Sequence, residues 1–519
     1  MENNTNLEYG REISEEFRAI TPKRKKPIIL IITPEITELP EGMGNAANLI
    51  TAKGGGLGDI SAGLVSYVEK SGKYEIHIVL PKYDKKIKRV SKLTNTEIEK
   101  LIVILSRKGI HLVNDSAFSY IQNPYDEDSV HRPVAKSFAL QRFVINNLLD
   151  FLQPDVVHCN DWMTALIPAA AKAKGIKSLF TLHNIFTEKQ TLYSIEKSGI
   201  RPLDFVEDLY FEKFPVNLKD NWRKYYRTNK VDFTSSGILA SDYFNTVSKT
   251  FLQELVNDYF PDLVPRPIYQ VIKQKYNEGK AVGIQNAPNE RIDSLLMDGI
   301  INFSSKNLSE KKAENKIIFQ QEMKLPIKPN TPLFFWPNRL YDQKGPDILV
   351  NNLEYFLNKY NFQLAVVADG DAKIEKQLIK LAAKFSNVAY HHFVDELSNL
   401  GKVGSDFILM PSRYEPCGIP QMEALRFATL PVVRATGGLK DTVQQLNIKD
   451  NTGNGFLFEM ADKYGLEYGM KKAIDFYKIS SDEKIRILKR IMHEGYERFN
   501  LKNTAQEYIN IYDKLIGEK

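Results

Sequence analysis

Short apolar runs alternate with longer amphipathic segments along the chain from Pro27 onward. In the first half, runs rich in β-branched and aromatic residues predict strands at 28–33, 76–80, 156–159, 178–182 and 243–247. Between two of them, apolar residues at helical spacing predict one buried helix face, formed by Leu140, Phe143, Val144, Leu148 and Phe151. Because parallel strands need crossover connections, this alternation predicts an α/β fold with a parallel sheet.

The second half repeats the pattern and predicts a second sheet, with strands at 334–336, 363–368, 388–390, 407–410 and 431–433. A polar stretch at 285–330, which begins near Asn286-Ala287-Pro288, separates the halves and is interpreted as the hinge. The predicted division is a leader at 1–26, a Rossmann-like domain at 27–284, the hinge and start of the second domain at 285–330, a second Rossmann-like domain at 331–490 and a helical tail at 491–519 that crosses back. Two doubly wound domains form a cleft at the carboxyl ends of their strands, where such folds bind ligands.

The composition is that of a folded globular protein, since 43% of the 519 residues are hydrophobic and 26% are charged. No apolar run approaches the roughly 18 residues of a membrane span, and we expect no membrane partner. A net charge of +6 is small for a dedicated nucleic-acid-binding protein, and we expect no nucleic-acid partner. Two cysteines, Cys159 and Cys417, cannot build a disulfide framework, and together with the polar leader they favour a cytoplasmic protein.

No metal site is predicted from the sequence. His391 and His392 are adjacent, so on a strand they face opposite ways, and we interpret them as structural.

A glycine-rich segment precedes the first amphipathic helix, and it contains Lys53, Gly54, Gly55, Gly56 and Gly58. Glycines let backbone N–H groups approach an anion at a helix N-terminus, and the lysine adds a positive charge. The segment lacks the Walker spacing, which disfavours a P-loop. It predicts a phosphate contact, with a flexible surface turn as the alternative.

Polar residues end two predicted strands of the first half. Asp161 follows the strand at 156–159, and His183 follows the strand at 178–182. Asp161 either caps the next helix or accepts a hydrogen bond from a sugar hydroxyl. Both residues are predicted to face the cleft.

Charged residues mark the corresponding loops of the second half. Arg339 and Lys344 follow its first strand, and two cations near a helix start suit a diphosphate leaving group. Glu415 precedes a helix and Glu423 lies inside it, about one turn later, so their carboxylates are predicted to bind sugar and ribose hydroxyls. A further glycine turn begins at Thr436.

These motifs together resemble those of bacterial glycogen synthases and plant starch synthases. The resemblance extends from about Ile28 to Phe458. It is carried by Lys53 with Gly55, Gly56 and Gly58, by Asp161 with Trp162, by His183 with Asn184, by Arg339 with Lys344, by Glu415 with Cys417 and Gly418, and by Thr436 with Gly437 and Gly438.

The resemblance implies a GT-B fold and the retaining transfer of glucose from a nucleotide sugar to the non-reducing 4-OH of an α-1,4-glucan. The donor that it implies is usually ADP-glucose, with UDP-glucose as the alternative. No metal or other cofactor is expected. The implied catalytic residues are Glu415, His183, Asp161, Lys344 and Arg339. The implied donor and phosphate ligands are Lys53, Gly55, Gly56, Gly58, Arg339, Lys344, Cys417, Gly418, Glu423, Thr436, Gly437 and Gly438.

Several positions depart from the family pattern. Asn160 and Met163 replace its histidines, Pro420 replaces a threonine, and Ala287 replaces a hinge glycine. Glu423 restores the two-glutamate spacing of the broader GT-B retaining enzymes. Two alternatives therefore stand beside the synthase: a nucleotide-sugar transferase with a different acceptor, and a non-catalytic glucan-binding homologue.

Overall fold

Two parallel β-sheets organise the chain. The computed structural model describes residues 26–39, 56–83, 94–119, 133–216, 219, 222–293, 297 and 299–517. The first sheet has seven strands in the order β3-β2-β1-β4-β5-β8-β9, and the second has six in the order β12-β11-β10-β13-β14-β15. Neighbouring strands in both sheets run parallel. The predicted α/β fold with two parallel sheets is confirmed.

The strands of the first half are β1 Ile28–Ile32, β2 Glu75–Pro81, β3 Ile110–Val113, β4 Val156–Asn160, β5 Lys177–Leu182, β6 Lys189–Thr191, β7 Lys230–Asp232, β8 Tyr243–Thr246 and β9 Ala281–Gly283. Strands β6 and β7 form a separate antiparallel pair. Those of the second half are β10 Leu333–Trp336, β11 Gln363–Val367, β12 Val388–His391, β13 Phe407–Met410, β14 Leu430–Arg434 and β15 Phe456–Phe458. The short strands β3, β9 and β15 extend the sheets beyond the ten strands predicted from sequence.

The helices of the first half are α1 Gly56–Lys70, α2 Asn95–Ser106, α3 Pro133–Phe143, α4 Leu149–Leu152, α5 Ile167–Ala173, α6 Leu192–Lys197, α7 Trp222–Tyr225, α8 Phe233–Ala240, α9 Lys249–Val256 and α10 Arg266–Asn277. The remaining helices are α11 Leu308–Glu322, α12 Pro346–Val350, α13 Leu353–Lys359, α14 Ala372–Lys384, α15 Asp395–Gly404, α16 Pro420–Arg426, α17 Gly437–Thr442, α18 Lys463–Tyr477, α19 Ser481–Arg498 and α20 Leu501–Gly517. Among the described residues, none of these helices has the length and apolarity needed to cross a bilayer.

One predicted helix face needs correction. Helices α3 and α4 are joined by a π-helical segment, Val144–Leu148, which shifts the phase of the following turn. Leu140 and Leu148 are buried as predicted, but Phe151 is 74% exposed and Leu152 lies inward instead. The wider turn moved the apolar face by one residue, which a constant helical period does not anticipate.

The last two helices connect the domains. Helix α19 packs against α16 of the second domain, and α20 packs against α1 of the first. At that contact Gly63 lies so close to Leu501 that a Cβ on the glycine would meet Leu501 at 2.3 Å. The chain therefore crosses between the domains after Arg498, beside the segment at 285–288, where Thr504 Oγ1 donates to the Gln285 carbonyl at 2.8 Å.

Candidate active site

A buried ion pair lies where β10 and β13 end. The Lys344 Nζ donates to Glu415 Oε2 at 2.6 Å, and the Ser412 hydroxyl donates to the same oxygen at 3.1 Å. Glu415 is only 3% exposed. Gly345 has a φ of +68°, and a Cβ there would lie 2.4 Å from the Pro411 carbonyl oxygen. Glycine at 345 thus lets the lysine loop approach the glutamate loop closely enough for the pair to form.

Arg413 makes a second set of contacts between the loop that contains Glu415 and the loop that contains Lys344. Its guanidinium makes a bidentate pair with Asp347, at 2.7 and 2.8 Å, and also donates to the Asp342 carbonyl at 3.1 Å. The backbone N–H of Arg413 donates to the Gln343 carbonyl at 2.8 Å. Sequence analysis missed this residue, although its position two residues before Glu415 was a usable signal.

Two buried polar side chains lie on the loop that follows β10 and at the start of α16. Asn338 Nδ2 and Gln421 Oε1 are buried without a hydrogen-bond partner among the described residues. Arg339 is exposed, and its guanidinium lies 5.5 Å from the centre of the Tyr341 ring.

The loop after Glu415 leads into helix α16. Cys417 is buried, which raises the pKa of its thiol well above the usual range, and its Sγ accepts from Gln285 Nε2 at 3.1 Å. Gly418 has a φ of +70°. Pro420 is the first residue of α16, where its missing N–H has no partner to lose. This proline is compatible with the helix start that the family pattern builds with threonine.

The Glu423 carboxylate forms an ion pair with a lysine side chain. Its Oε2 lies 2.7 Å from Lys402 Nζ on α15, and the two side chains are about equally buried. The sequence analysis predicted a ribose contact for Glu423. The structure adds that Lys402 fixes the orientation of the carboxylate.

The glycine turn at Thr436 packs on the Glu415 loop. Gly438 N–H donates to the Glu415 carbonyl at 3.0 Å. A Cβ on Gly437 would lie 1.9 Å from that carbonyl oxygen, and one on Gly438 would lie 2.0 Å from the Cys417 carbonyl. Only glycines allow the two backbones to approach this closely. The Gly437 N–H donates to the Glu254 carboxylate of the first domain, at 3.1 and 3.0 Å.

On the other side of the cleft, Asp161 and His183 lie together at the ends of β4 and β5. Asp161 has a φ of +56°, uncommon for a residue with a side chain. Its Oδ1 accepts the N–H groups of His183 at 2.6 Å and Asn184 at 3.3 Å. Within the described part of the chain, its side chain does not cap the next helix. Of the two roles left open by the sequence, capping is therefore wrong.

Burial controls the charges on this side. It raises the pKa of Asp161 to about 7, with the nearby Glu35 carboxylate adding to the increase while the two N–H bonds oppose it. Burial also lowers the pKa of His183 to about 3. Sequence analysis missed Glu35, which carries no local motif.

Asn160 fixes the ring of His183. Its Nδ2 donates to the Ile32 carbonyl at 3.0 Å, so its Oδ1 is the acceptor that lies 2.9 Å from His183 Nε2. The neutral imidazole therefore carries its proton on Nε2, and Nδ1 is an acceptor. This departure from the family pattern has a defined orienting role.

The predicted phosphate loop is described only in part. Lys53 and Gly55 lie outside the described residues. Gly56 and Gly58 form the first turn of α1. A Cβ on Gly56 would lie 3.8 Å from Ile419 of the second domain, so the start of α1 reaches across the cleft toward the start of α16.

Three groups near the second sheet could hold a cation. Asp369, Glu375 and His392 place one ligand atom each within 4.8 Å of one another. His392 Nδ1 lies 2.7 Å from Asp369 Oδ1, and Glu375 accepts the Gly370 N–H at 2.8 Å. Sequence analysis predicted no metal and did not link these residues, because 17 positions separate Glu375 from His392 along the chain.

Comparison with known proteins gives two family matches. Residues 29–263 match the starch synthase catalytic domain, and residues 318–492 match the glycosyl transferases group 1. The chain is 31% identical to a glycogen synthase from Alkaliphilus metalliredigens over 496 residues, which covers 89% of this chain and 97% of the relative. It is 30% identical to a glycogen synthase from Bacillus subtilis, covering 89% and 95% of the two chains.

Comparison with solved structures agrees on the fold. The catalytic domain of starch synthase IV from Arabidopsis thaliana, bound to ADP and acarbose, superposes with a TM-score of 0.73 at 21% identity and covers 95% of this chain and 100% of that chain. A sucrose-phosphate synthase from Thermosynechococcus elongatus gives a TM-score of 0.55 at 13% identity and covers 95% and 100%.

Proposed function

This chain belongs to the family of bacterial glycogen synthases and plant starch synthases, and we propose that it uses ADP-glucose as its donor. Membership makes it a glycosyltransferase that transfers glucosyl residues in glycogen or starch synthesis. The acceptor is the non-reducing 4-OH of an α-1,4-glucan, and the anomeric configuration is retained. The choice of ADP is supported by the starch synthase IV structure, which was bound to that nucleotide.

The observation that supports a diphosphate-linked sugar as the donor is the Lys344–Glu415 pair, whereas the choice of ADP rests on the starch synthase IV structure. Glu415 holds the lysine side chain at 2.6 Å, at the edge of the sheet where open α/β folds bind ligands. The exposed Arg339 follows the same strand as Lys344. Cations placed before the reaction begins stabilise a diphosphate whose charge increases as the glycosidic bond breaks.

The chemical step balances without a covalent enzyme intermediate. The bond from C1 to the distal phosphate oxygen breaks, and its electron pair leaves with the diphosphate. The acceptor O4 forms the new bond to C1 on the same face, and its proton moves to the departing phosphate oxygen. Lys344 and Arg339 stabilise the leaving group, and Glu415 binds near the glucosyl ring.

The first domain supplies the opposite wall of the reaction site. His183 is neutral because burial lowers its pKa to about 3, and Asn160 fixes its ring. A neutral, oriented imidazole can hydrogen-bond a sugar hydroxyl without repelling the cationic character that develops at C1. Asp161 holds the backbone at His183 and Asn184 in the required place.

The test is nucleotide release from ADP-glucose and UDP-glucose, each with and without glycogen. We expect release that depends on glycogen, a preference for ADP-glucose, and elongation by α-1,4-linked glucose. Preference for UDP-glucose would overturn the donor assignment alone. Transfer to a different acceptor, with none to glycogen, would overturn the acceptor assignment.

A further inference from the structure

Two hydrogen-bonded contacts join α9 of the first domain to α17 of the second. Thr250 donates through its N–H and its hydroxyl to the Asp441 carboxylate, at 2.9 and 2.6 Å. One turn along α9, the Glu254 carboxylate accepts from Gly437 N–H at 3.1 and 3.0 Å and from the Thr436 hydroxyl at 3.0 Å. The carboxylate is on α17 in one contact and on α9 in the other, which fixes the register of the two helices.

The second contact is joined to the Glu415 loop by a hydrogen bond. The Gly437 N–H held by Glu254 is followed by the Gly438 N–H, which donates to the Glu415 carbonyl at 3.0 Å. The backbones at Gly437 and Glu415 are so close that a Cβ on this glycine would lie 1.9 Å from the Glu415 carbonyl oxygen. A displacement of the turn must therefore displace Glu415 or break the contact.

Tyr414, the neighbour of Glu415, also reaches the first domain. Its ring centre lies 5.9 Å from that of Phe260, and it is buried with the apolar core of the first domain. The Glu415 loop is thus held by the first domain at two points, through Tyr414 by apolar packing and through the glycine turn by a charged group.

We propose that Glu254 is a positioning residue that couples contact between the two domains to the placement of Glu415. Its carboxylate fixes the Thr436–Gly438 turn, the turn fixes the Glu415 backbone, and the Glu415 side chain fixes Lys344. The Gly437 amide then serves Glu254 and not the donor diphosphate. This inference rests on the proposed role of Glu415 in transfer.

The experiment compares Glu254→Ala with Thr250→Val in the full chain. Thr250→Val is the matched control because it removes a hydrogen bond from the same helix pair without touching the glycine turn. Glu254→Gln keeps one accepting oxygen and serves as the conservative variant. Steady-state kinetics with ADP-glucose and glycogen, ADP binding by calorimetry, and amide hydrogen exchange at Gly438 are measured for each.

For Glu254→Ala we expect kcat to fall at least about thirtyfold, since small misplacements of reacting groups cost about that much. Its donor KM and ADP affinity should stay within about threefold, because the groups that bind the donor remain. The Gly438 amide should exchange faster, Glu254→Gln should recover part of kcat, and Thr250→Val should stay within about twofold of the original kcat.

Two results would overturn the proposal. One is a Glu254→Ala kcat within about twofold of the original. The other is an equal loss in Glu254→Ala and Thr250→Val, which indicates a simple contact between domains. If the unsubstituted chain releases no nucleotide from either donor, the proposed function fails, and unchanged exchange at Gly438 in Glu254→Ala then separately refutes the positioning role.

Discussion

The two walls of the cleft hold their acidic groups in different ways. On the second domain, Glu415 is paired with Lys344 at 2.6 Å and receives the Ser412 hydroxyl. On the first, Asp161 is bonded by backbone N–H groups, and burial raises its pKa to about 7. Paired charges suit a site that must stabilise a diphosphate whose charge changes during the reaction. The neutral imidazole of His183, whose pKa burial lowers to about 3, suits a site that binds sugar hydroxyls.

The backbone shows the same contrast. The donor wall reaches its tight approaches with glycines, at Gly345 and Gly437, where positive φ angles carry little strain. The acceptor wall places Asp161 at a φ of +56°, which costs on the order of 1 kcal/mol or more for a residue with a side chain. At Asp161 this strain accompanies a side chain that binds the backbone of the neighbouring strand end.

The largest expected effect tests the donor wall. Glu415→Gln and Lys344→Ala should each lower kcat at least about a hundredfold, because each removes a charge interaction that strengthens as the diphosphate leaves. Initial rates of nucleotide release measure this. Lys359→Ala is the control, because it breaks a lysine–glutamate contact of the same 2.6 Å length, with Glu467 at the surface. Near-normal turnover of Glu415→Gln would contradict the assigned role.

The next effect tests the acceptor wall through pH. The pKa of Asp161 is about 7 in the folded chain and near 4 when unfolded, so the folded state binds the extra proton between these values. Stability therefore falls as pH rises through this window, and Asp161→Asn should lack that fall.

Urea unfolding of both chains at pH 5 and pH 8 measures the difference. As the pH rises from 5 to 8, the free energy of unfolding of the Asp161→Asn variant should increase by about 1–2 kcal/mol relative to that of the original chain. If the free energies of unfolding of the two chains differ by the same amount at pH 5 and at pH 8, Asp161 ionises with an ordinary pKa. Asparagine tolerates positive φ, so the backbone should stay in place.

The site residues that the sequence predicted are those that directly follow the predicted strands. Glu415, Lys344, Asp161 and His183 follow strands with strong apolar signals, and the carboxyl ends of parallel strands meet at one edge. Glu254 carries no such signal, because its role comes from a contact between segments far apart in the chain. Arg413 and Glu35 follow the strands β13 and β1, but only the folded chain shows what their side chains contact. Strands β3, β9 and β15 were missed. All three are edge strands of three or four residues, whereas the equally short central strands β10 and β13 were found from their continuous apolar runs.

A smaller effect concerns Glu423, whose carboxylate Lys402 holds at 2.7 Å. If it binds the donor ribose, Glu423→Gln should raise the donor KM by about three- to tenfold and change kcat less. A donor with a 2′-deoxyribose gives a sharper measurement. The original chain should discriminate against it and the variant should not, whereas equal discrimination by both would assign Glu423 a purely structural pairing with Lys402.

The smallest expected effect is that of removing divalent cations. Lys344 and Arg339 are proposed to neutralise the diphosphate, so turnover in excess EDTA should stay within about twofold of the original rate. Asp369, Glu375 and His392 form a group that could hold a cation. This group lies beside the donor wall, because Gly370 pairs with Leu340, the residue after Arg339. The EDTA experiment therefore also tests whether a cation at this group contributes to the reaction. Asp369→Asn is therefore measured in parallel. Loss of activity in EDTA that manganese restores in the original chain, but not in Asp369→Asn, would mean that a metal shares the neutralisation assigned to the two basic side chains.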